Sequence, residues 1–359
     1  MVEWLAGKRV RGTSSERTPL GTGLGGTGVG GWVELGRTTL GSAGDTISVA
    51  SLSDKRYYMI LTDTTPSGQV RTYPRINNDS GSNYSIRYQK DGVADVTLTS
   101  QTYFTNYTGG FSSGNAFHVS YLANYASKEK LLINHSNENE TLGAGTAPFR
   151  REYTGKWANT SNAVNRWDAL NFGTGDFATG SEVVVLGWDP ADTHTTNFWE
   201  ELASVELGSA GDNLGSGTFS AKKYLWIQVF LKASGTYNTR FRVNSDAGSN
   251  YAVRWSDNGT ADSSNTSENA FYPIVDGVTT NITTNSFMNM FIVNNASNEK
   301  LLIWNGIVQN TAGATNAPAR VEGVAKWANT SSQITDIDID NTSTGNYDTG
   351  SIIKVWGAD

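Results

Sequence analysis

The residue types best suited to catalysis are few in this sequence. It contains no Cys and only three His, His118, His135 and His194, which excludes a thiolate nucleophile, a disulfide framework and a Cys-ligated metal. The pattern G-x-S-x-G occurs once by its letters, at 110–114, but no nucleophile–base pairing is obvious and H-E-x-x-H does not occur. The two carboxylates of a glycosidase could lie anywhere among 34 Asp and Glu. We nevertheless expect no catalytic residues and a protein that is not an enzyme.

Three carboxylates alternate near the end of the chain. A β-strand would place Asp336, Asp338 and Asp340 on one face, and clustered carboxylates can bind Ca²⁺. However, no D-x-[DN]-x-[DN]-G loop occurs, and the matching part of the first half has only Asp168. The pattern favours a solvated strand face, so we predict neither a metal nor a cofactor.

A charged and aromatic segment occurs twice. Charged groups beside a Trp could bind a sugar, but a segment kept in both copies is more typical of a part that every copy needs in order to fold. We predict a structural corner in which the Trp fills the core while Asn and Thr side chains satisfy backbone groups of the turn. The corner residues are Arg150, Glu152, Lys156 and Trp157, and in the second copy Arg320, Glu322, Lys326 and Trp327.

The N-terminal arm combines an apolar anchor with a basic cluster. We predict a docking peptide that orders on a partner protein, its Trp buried in a pocket and its basic side chains paired with carboxylates; a disordered tail is the alternative. The following segment, 21–26, fits G-x-G-x-x-G but has no strand before it and no helix after it, so we interpret it as a flexible tether. The docking residues are Trp4, Leu5, Lys8, Arg9, Arg11 and Arg17.

An internal duplication organises the rest of the chain. Leu40–Asp45 recurs as Leu207–Asp212, and Lys156–Ser161 recurs as Lys326–Ser331. The period is far longer than that of a solenoid repeat, so each copy should be a complete domain. The predicted organisation is an N-terminal arm with its Gly-rich tether (1–31), module 1 (32–189), a linker (190–197) and module 2 (198–359).

Composition and patterning predict an all-β fold. Charged residues make up 17% of the chain and Gly is frequent, which disfavours long surface helices and suits short strands joined by turns. Short apolar runs separated by Gly, Asn, Asp and Ser predict two tandem antiparallel β-sandwich modules. A jelly-roll-like sandwich fits their size best, with a lectin-like sandwich as the alternative.

The two copies fail to match over 96–114 and 263–286. Divergence between duplicated domains concentrates in exposed loops, where contacts are made. We therefore regard Tyr103, Tyr107 and Tyr272 as candidate surface-binding residues.

Charge and hydropathy narrow the partners. The formal net charge of −7, with basic residues clustered only in the arm, argues against nucleic acid. No window is apolar enough for a membrane span, and the opening residues lack the apolar region of a signal peptide. We expect cytoplasmic synthesis and no membrane partner.

Several segments resemble a known class of protein. MVEWLAGKRVRGTSSERT, WVELGRTTLGSAGDTISV, NNDSGSNYSIRY and GKWANTS…GTGDFATGSEVVVLG are similar to repeat modules of virion structural proteins of tailed bacteriophages, particularly marine ones. The resemblance implies a part that decorates capsids, builds fibres or sits on tails, and it brings no catalytic residues with it.

The leading hypothesis is a non-enzymatic virion structural protein of the capsid-decoration or head-fibre type. It would lie on the virion surface, be anchored to other capsid or tail proteins by its arm, and form a homo-oligomer such as a trimer. The alternatives are a tail or fibre adhesin that binds host-surface polysaccharide and a capsid shell protein built from two jelly rolls. A polysaccharide-degrading tailspike is the weakest alternative.

Overall fold

The computed structural model describes residues 31–105, 110–190, 192, 196–273, 282–310 and 313–359, and the backbone of two short arm strands. These are β1 (Glu3–Leu5) and β2 (Arg9–Arg11), which pair antiparallel with Trp4 opposite Val10. Regular structure in the described residues is entirely β-strand. No helix long and apolar enough to cross a membrane occurs in this part of the chain.

Module 1 is a sandwich of two unequal antiparallel sheets. The large sheet has the strand order β3-β15-β5-β10-β11-β12-β8-β9, and the small sheet has the order β4-β13-β7. A short ribbon pairs β14 with β6. The strands are β3 (Val33–Thr39), β4 (Thr46–Ala50), β5 (Tyr57–Thr64), β6 (Pro66–Ser67), β7 (Thr72–Ile76), β8 (Tyr84–Lys90), β9 (Val96–Gln101), β10 (Asn115–Ala123), β11 (Lys130–Asn139), β12 (Phe149–Trp157), β13 (Arg166–Asn171), β14 (Asp176–Phe177) and β15 (Glu182–Trp188).

Module 2 repeats this topology strand for strand. Its large sheet has the order β16-β28-β18-β23-β24-β25-β21-β22 and its small sheet the order β17-β26-β20, while β19 pairs with β27. The strands are β16 (Glu200–Glu206), β17 (Asn213–Gly215), β18 (Tyr224–Leu231), β19 (Ala233–Ser234), β20 (Thr239–Val243), β21 (Tyr251–Asp257), β22 (Ser263–Glu268), β23 (Ser286–Val293), β24 (Lys300–Val308), β25 (Ala319–Trp327), β26 (Ile337–Asn341), β27 (Asn346–Tyr347) and β28 (Ile352–Ala358). The predicted pair of tandem β-sandwiches is confirmed.

Both faces of each large sheet carry apolar side chains. Because neighbouring residues of a strand point to opposite faces, Tyr58 of β5 enters the core of module 1 while Met59 points to the outer face. In β18, Leu225 likewise enters the core of module 2 and Tyr224 points outward. The two outer faces pack against each other and form a third apolar cluster between the modules.

Two predictions about local structure were wrong. The segments 96–114 and 263–286 were expected to be loops, but each begins with an edge strand of a large sheet, β9 or β22. The predicted corner at Arg150, Glu152 and Lys156, and its repeat at Arg320, Glu322 and Lys326, lies instead within interior strands, β12 and β25. The charged residues interrupt the apolar pattern by which strands were predicted. They are accommodated because the outer face of a large sheet meets the other module rather than solvent.

Candidate functional site

In each module, the repeated Trp contacts the carboxylate of a repeated turn. Trp157, at the end of β12, is buried, and its Nε1 donates to the Asp79 carboxylate at 2.6 Å. The same carboxylate accepts from the backbone N–H of Gly81 and the side chain of Asn83. Burial alone would raise the pKa of Asp79, but these hydrogen bonds more than offset it and hold the pKa below its usual value.

A buried ammonium and an Asn complete this point. Lys130 Nζ donates to two backbone carbonyls, those of Lys128 and Asn159. The Asn159 side chain in turn accepts the N–H groups of Ser161 and Asn162. Module 2 repeats the arrangement at Asp246, Trp327, Lys300 and Asn329. Trp157 and Trp327 are thus buried beside a turn whose backbone N–H groups an Asn side chain accepts, whereas the charged residues upstream have another role.

Arg150 joins the two modules. Its Nη2 and Nε lie 2.5 and 3.1 Å from the Asp262 carboxylate, and both side chains are almost fully buried. Its Nη1 lies 2.6 Å from Glu152 and 3.3 Å from Glu322. Arg320, the counterpart of Arg150 in module 2, pairs with Glu322 of its own module at 3.3 Å, and its side chain is 60% exposed. The repeated Arg is thus a buried clamp in one copy and a surface residue in the other.

Further polar contacts cross the interface around this clamp. Lys223 pairs with Asp63 at 3.4 Å and with Glu182 at 3.0 Å. The Asn137 side chain donates to the carbonyls of Leu302 and Ala325 at 2.9 and 2.7 Å. A buried, hydrogen-bonded and apolar interface of this kind holds the modules in one fixed arrangement.

Glu152 and Glu322 are the closest approach to a catalytic pair. They line a groove of about 390 Å³ at the margin of the interface, together with His135. Burial would raise the pKa of Glu152, but His135 and Arg150 lower it to about 2, whereas burial raises the pKa of Glu322. Two carboxylates with separated pKa values are the starting point of acid–base catalysis. Here, however, the Arg150 guanidinium bonds to Glu152 and lies within ion-pair distance of Glu322, which favours a structural bridge.

The outer face of module 1 carries an aromatic groove of about 450 Å³ that none of the described residues covers. Tyr57 and Trp188 stack there with ring centroids 5.4 Å apart. Leu131 and Ile133 beside them are 58% and 50% exposed. The aromatic groove is defined by Trp32, Tyr57, Tyr121, Leu131, Ile133 and Trp188.

The other candidate residues are dispersed. Tyr103 is half-buried and stacks on Tyr73 beside the exposed Phe172, and Tyr272 lines a separate cavity of about 340 Å³ in module 2. Tyr107 lies outside the described residues. The structure therefore does not bring the predicted surface-binding residues together.

The arm lies largely outside the description. Lys8 and Arg17 are not among the described residues, and only the backbones of Trp4, Leu5, Arg9 and Arg11 are described. Docking through these residues stays a prediction.

The remaining His and Asp candidates do not form a site in the described part of the chain. His118 is buried in module 1, and His194 lies outside the described residues. On β26, the central strand of the small sheet of module 2, Asp338 accepts from Ser245 and Asp340 accepts from Arg240. Within the described ranges, no group of three His, Asp or Glu is placed to hold a metal ion.

Comparison with known proteins gives no family. No known protein family and no curated protein matches the chain. Among solved structures, mouse laminin alpha1 chain domains LG4-5 align over 92% of this chain and 91% of that chain, with 10% identity and a TM-score of 0.19. Transferrin binding protein B of Haemophilus parasuis aligns over 83% and 86%, with 9% identity and a TM-score of 0.11. Such low scores carry no argument, so the fold assignment rests on the strand pairing itself.

Proposed function

We propose that the chain is a non-enzymatic structural protein of a tailed-bacteriophage virion, of the capsid-decoration or head-fibre type. It would be made in the host cytoplasm, be displayed on the particle surface and be anchored to other virion proteins by its arm. The resemblance of its repeated segments to virion modules is the starting point of this proposal.

The observation that favours a structural role is the position of Arg150. The residue lies between the two best-placed carboxylates and bridges both modules, so the charge cluster is used to fix two sandwiches relative to each other. A rigid pair of lobes with an uncovered aromatic groove suits a building block, since a large exposed apolar patch marks a surface for another protein segment.

Binding to particles tests the anchoring. Purified chain should bind particles that lack it, and deletion of residues 1–20 should abolish binding while the far-ultraviolet spectrum and unfolding midpoint stay unchanged. Normal binding of the truncated chain would contradict anchoring by the arm. Reducing-sugar release from host polysaccharide by the intact chain would contradict the non-enzymatic assignment.

A homo-oligomer is part of the proposal. Three copies would place six similar lobes around one axis, in keeping with the closed symmetry of most assemblies. Mass photometry should show a defined oligomer of the free chain or of the chain released from particles. Only monomers in both samples would contradict this part and leave the anchoring untouched.

A second candidate function is adhesion to host polysaccharide. Tyr73, Tyr103 and Phe172 form an aromatic cluster on module 1, with the rings of Tyr73 and Tyr103 4.9 Å apart and nearly parallel. In module 2 the residue that corresponds to Tyr73 is Arg240, which forms an ion pair with Asp340 instead of an aromatic stack. A glycan array should show a signal that Tyr103→Ala removes if the chain is an adhesin, and a blank array would exclude this candidate.

A further inference from the structure

The inter-module interface covers only half of each outer face. The equivalence of the two modules follows from strand register: Phe117 pairs with Asp63 and Asn137 in module 1, as Phe287 pairs with Phe230 and Ile307 in module 2. In module 1 this row is buried against module 2. In module 2 the same row is exposed, and we call it the distal patch: Phe230, Phe287 and Ile307, which are 36%, 39% and 43% exposed.

The opposite half shows the reverse pattern. Leu301 and Ile303 of module 2 are buried against module 1, whereas their counterparts Leu131 and Ile133 in the aromatic groove are half exposed. The fold therefore provides a cover for this half of the outer face in module 2. Among the described residues, nothing covers the same half in module 1.

The order of contacts between the facing strands indicates that the aromatic groove and the distal patch lie at the same end of the interface. Strand β25 crosses β12 in the opposite direction, since Lys326 Nζ bonds to the carbonyl of Thr141, Glu322 meets Arg150, and Arg320 shares a groove with Ile133. The distal patch extends from Arg320 along the same row of the sheet. The two uncovered patches thus lie on the facing outer faces of two sheets that are clamped together at the other end.

A thin segment suits such a cleft better than a folded domain, because both walls belong to one rigid chain. A segment of suitable length is attached beside it. The arm enters module 1 at Trp32, which lines the aromatic groove. Treated as a flexible chain, the intervening residues 12–30 would span roughly 25 Å on average, enough to return to the cleft at a high effective concentration.

The arm also has matching chemistry. Its two strands pair with Trp4 directly opposite Val10, so the hairpin has two apolar residues at one cross-strand position. Its basic residues would approach two modules that carry the net negative charge of the chain.

We infer that the N-terminal hairpin docks in the cleft between the aromatic groove and the distal patch of its own chain. This goes beyond the proposed function, because it gives the arm a site on the chain itself, whatever it binds on a particle. In module 2, one half of the outer face is covered by module 1. The hairpin would cover the equivalent half of the outer face in module 1.

The absence of Cys allows a clean proximity test on the full chain. Lys8→Cys is combined with Leu131→Cys, and a short thiol-to-thiol cross-linker is added at low protein concentration. The matched control combines Lys8→Cys with Phe172→Cys, which is 45% exposed on the small-sheet side. We expect cross-linking within one chain at least tenfold faster for the first pair than for the control.

A third variant separates docking from tethering. Trp4→Ala added to the first pair should slow the cross-link at least tenfold, because the tether is unchanged and only the anchor is lost. Cross-linked dimers as the main product would place the arm on a second copy and overturn the inference. So would equal rates for the two pairs, or no effect of Trp4→Ala. None of these outcomes depends on particle binding, so the proposed function is tested separately.

Discussion

His118 shows how one residue can set the acid sensitivity of a module. It lies in β10 and is 4% exposed, and its Nε2 is buried with no hydrogen-bond partner among the residues that the structure describes. Burial lowers its pKa to about 4, so the folded module resists protonation while the unfolded chain accepts a proton below about pH 6.5. Its contribution to stability is therefore complete above pH 6.5 and is lost as the pH falls towards 4.

Replacing His118 should stabilise module 1 in acid. Module 2 carries Met288 at the equivalent position, which shows that Met fits this site. We expect His118→Met to raise the free energy of unfolding by about 1–3 kcal/mol, because it removes an unsatisfied buried polar atom. It should also flatten the fall in stability between pH 6.5 and 4. Urea unfolding across that range provides the measurement, and Met288→His should have the opposite effect. An unchanged slope for His118→Met would contradict the assignment.

Asp79 should contribute more to the free energy of unfolding than an ordinary turn residue. Its carboxylate holds Trp157, Gly81 and Asn83 together, so Asp79→Ala should cost about 1–3 kcal/mol. Because the folded pKa is depressed, this stabilisation is present above the unfolded value near 3.8 and lost as the pH falls below it. Asp246→Ala in module 2 is the matched test, and unfolding curves that show no loss in either variant would contradict the role.

Sequence reasoning found these residues only in part. The recurrence of Trp157 in both copies indicated a structural unit, and in the structure Trp157 contacts Asp79 as Trp327 contacts Asp246. Arg150 could not be interpreted correctly because its partner Asp262 is far away in sequence and its counterpart Arg320 is exposed. Arg at the same position of the two modules is buried in one copy and exposed in the other. Only the packing of one module on the other decides which.

At the scale of strands, most of the sheet followed from apolar runs, but β12 and β25 did not. Their sequences, FRREYTGKW and ARVEGVAKW, place charged residues on the outer face. Alternation of apolar and polar residues identifies a strand whose outer face meets water, whereas the outer faces of these strands reach the inter-module interface at Arg150 and at Lys326. Their position therefore depends on tertiary packing that the local pattern does not contain.

A cross-strand pair between β24 and β25 gives a prediction at this scale. Trp304 lies opposite Gly323, and a Cβ at Gly323 would overlap the Trp304 ring. In module 1 the equivalent pair is Asn134 opposite Tyr153, so the large residue has changed strand. We expect Trp304→Asn to cost about 3–5 kcal/mol through the cavity and Gly323→Tyr about 1–3 kcal/mol through overpacking.

The double variant is the informative one. Combining both changes recreates the arrangement of module 1, so its cost should fall short of the sum of the single costs by about 0.5–3 kcal/mol. Urea unfolding of the four proteins gives this coupling. Simple additivity would mean that the two side chains do not share one space.

At the scale of the whole molecule, the duplication was evident from the sequence, but the packing of the two modules against each other was not. Positions that differ between the copies, such as Asp63 and Phe230, read as neutral divergence until the sheets are placed. In the structure, Asp63 is buried beside Lys223 and Phe230 is exposed in the distal patch. Divergence after duplication has therefore produced two different outer faces from one module, and this asymmetry defines both the interface and the cleft.

Matched substitutions at Arg150 and Arg320 test whether the interface couples the two modules energetically. Arg150→Ala leaves Asp262, whose side chain is 1% exposed, buried without its cation, so we expect a loss of about 3–5 kcal/mol. Arg320→Ala removes an exposed contact and should change stability by less than about 1 kcal/mol. Scanning calorimetry should show one transition for the native chain and for Arg320→Ala, because the shared interface couples the modules. In Arg150→Ala the weakened interface should let the modules unfold in two resolved steps. Equal losses for the two variants, or a native chain that already unfolds in two steps, would show that Arg150 does not join the modules energetically.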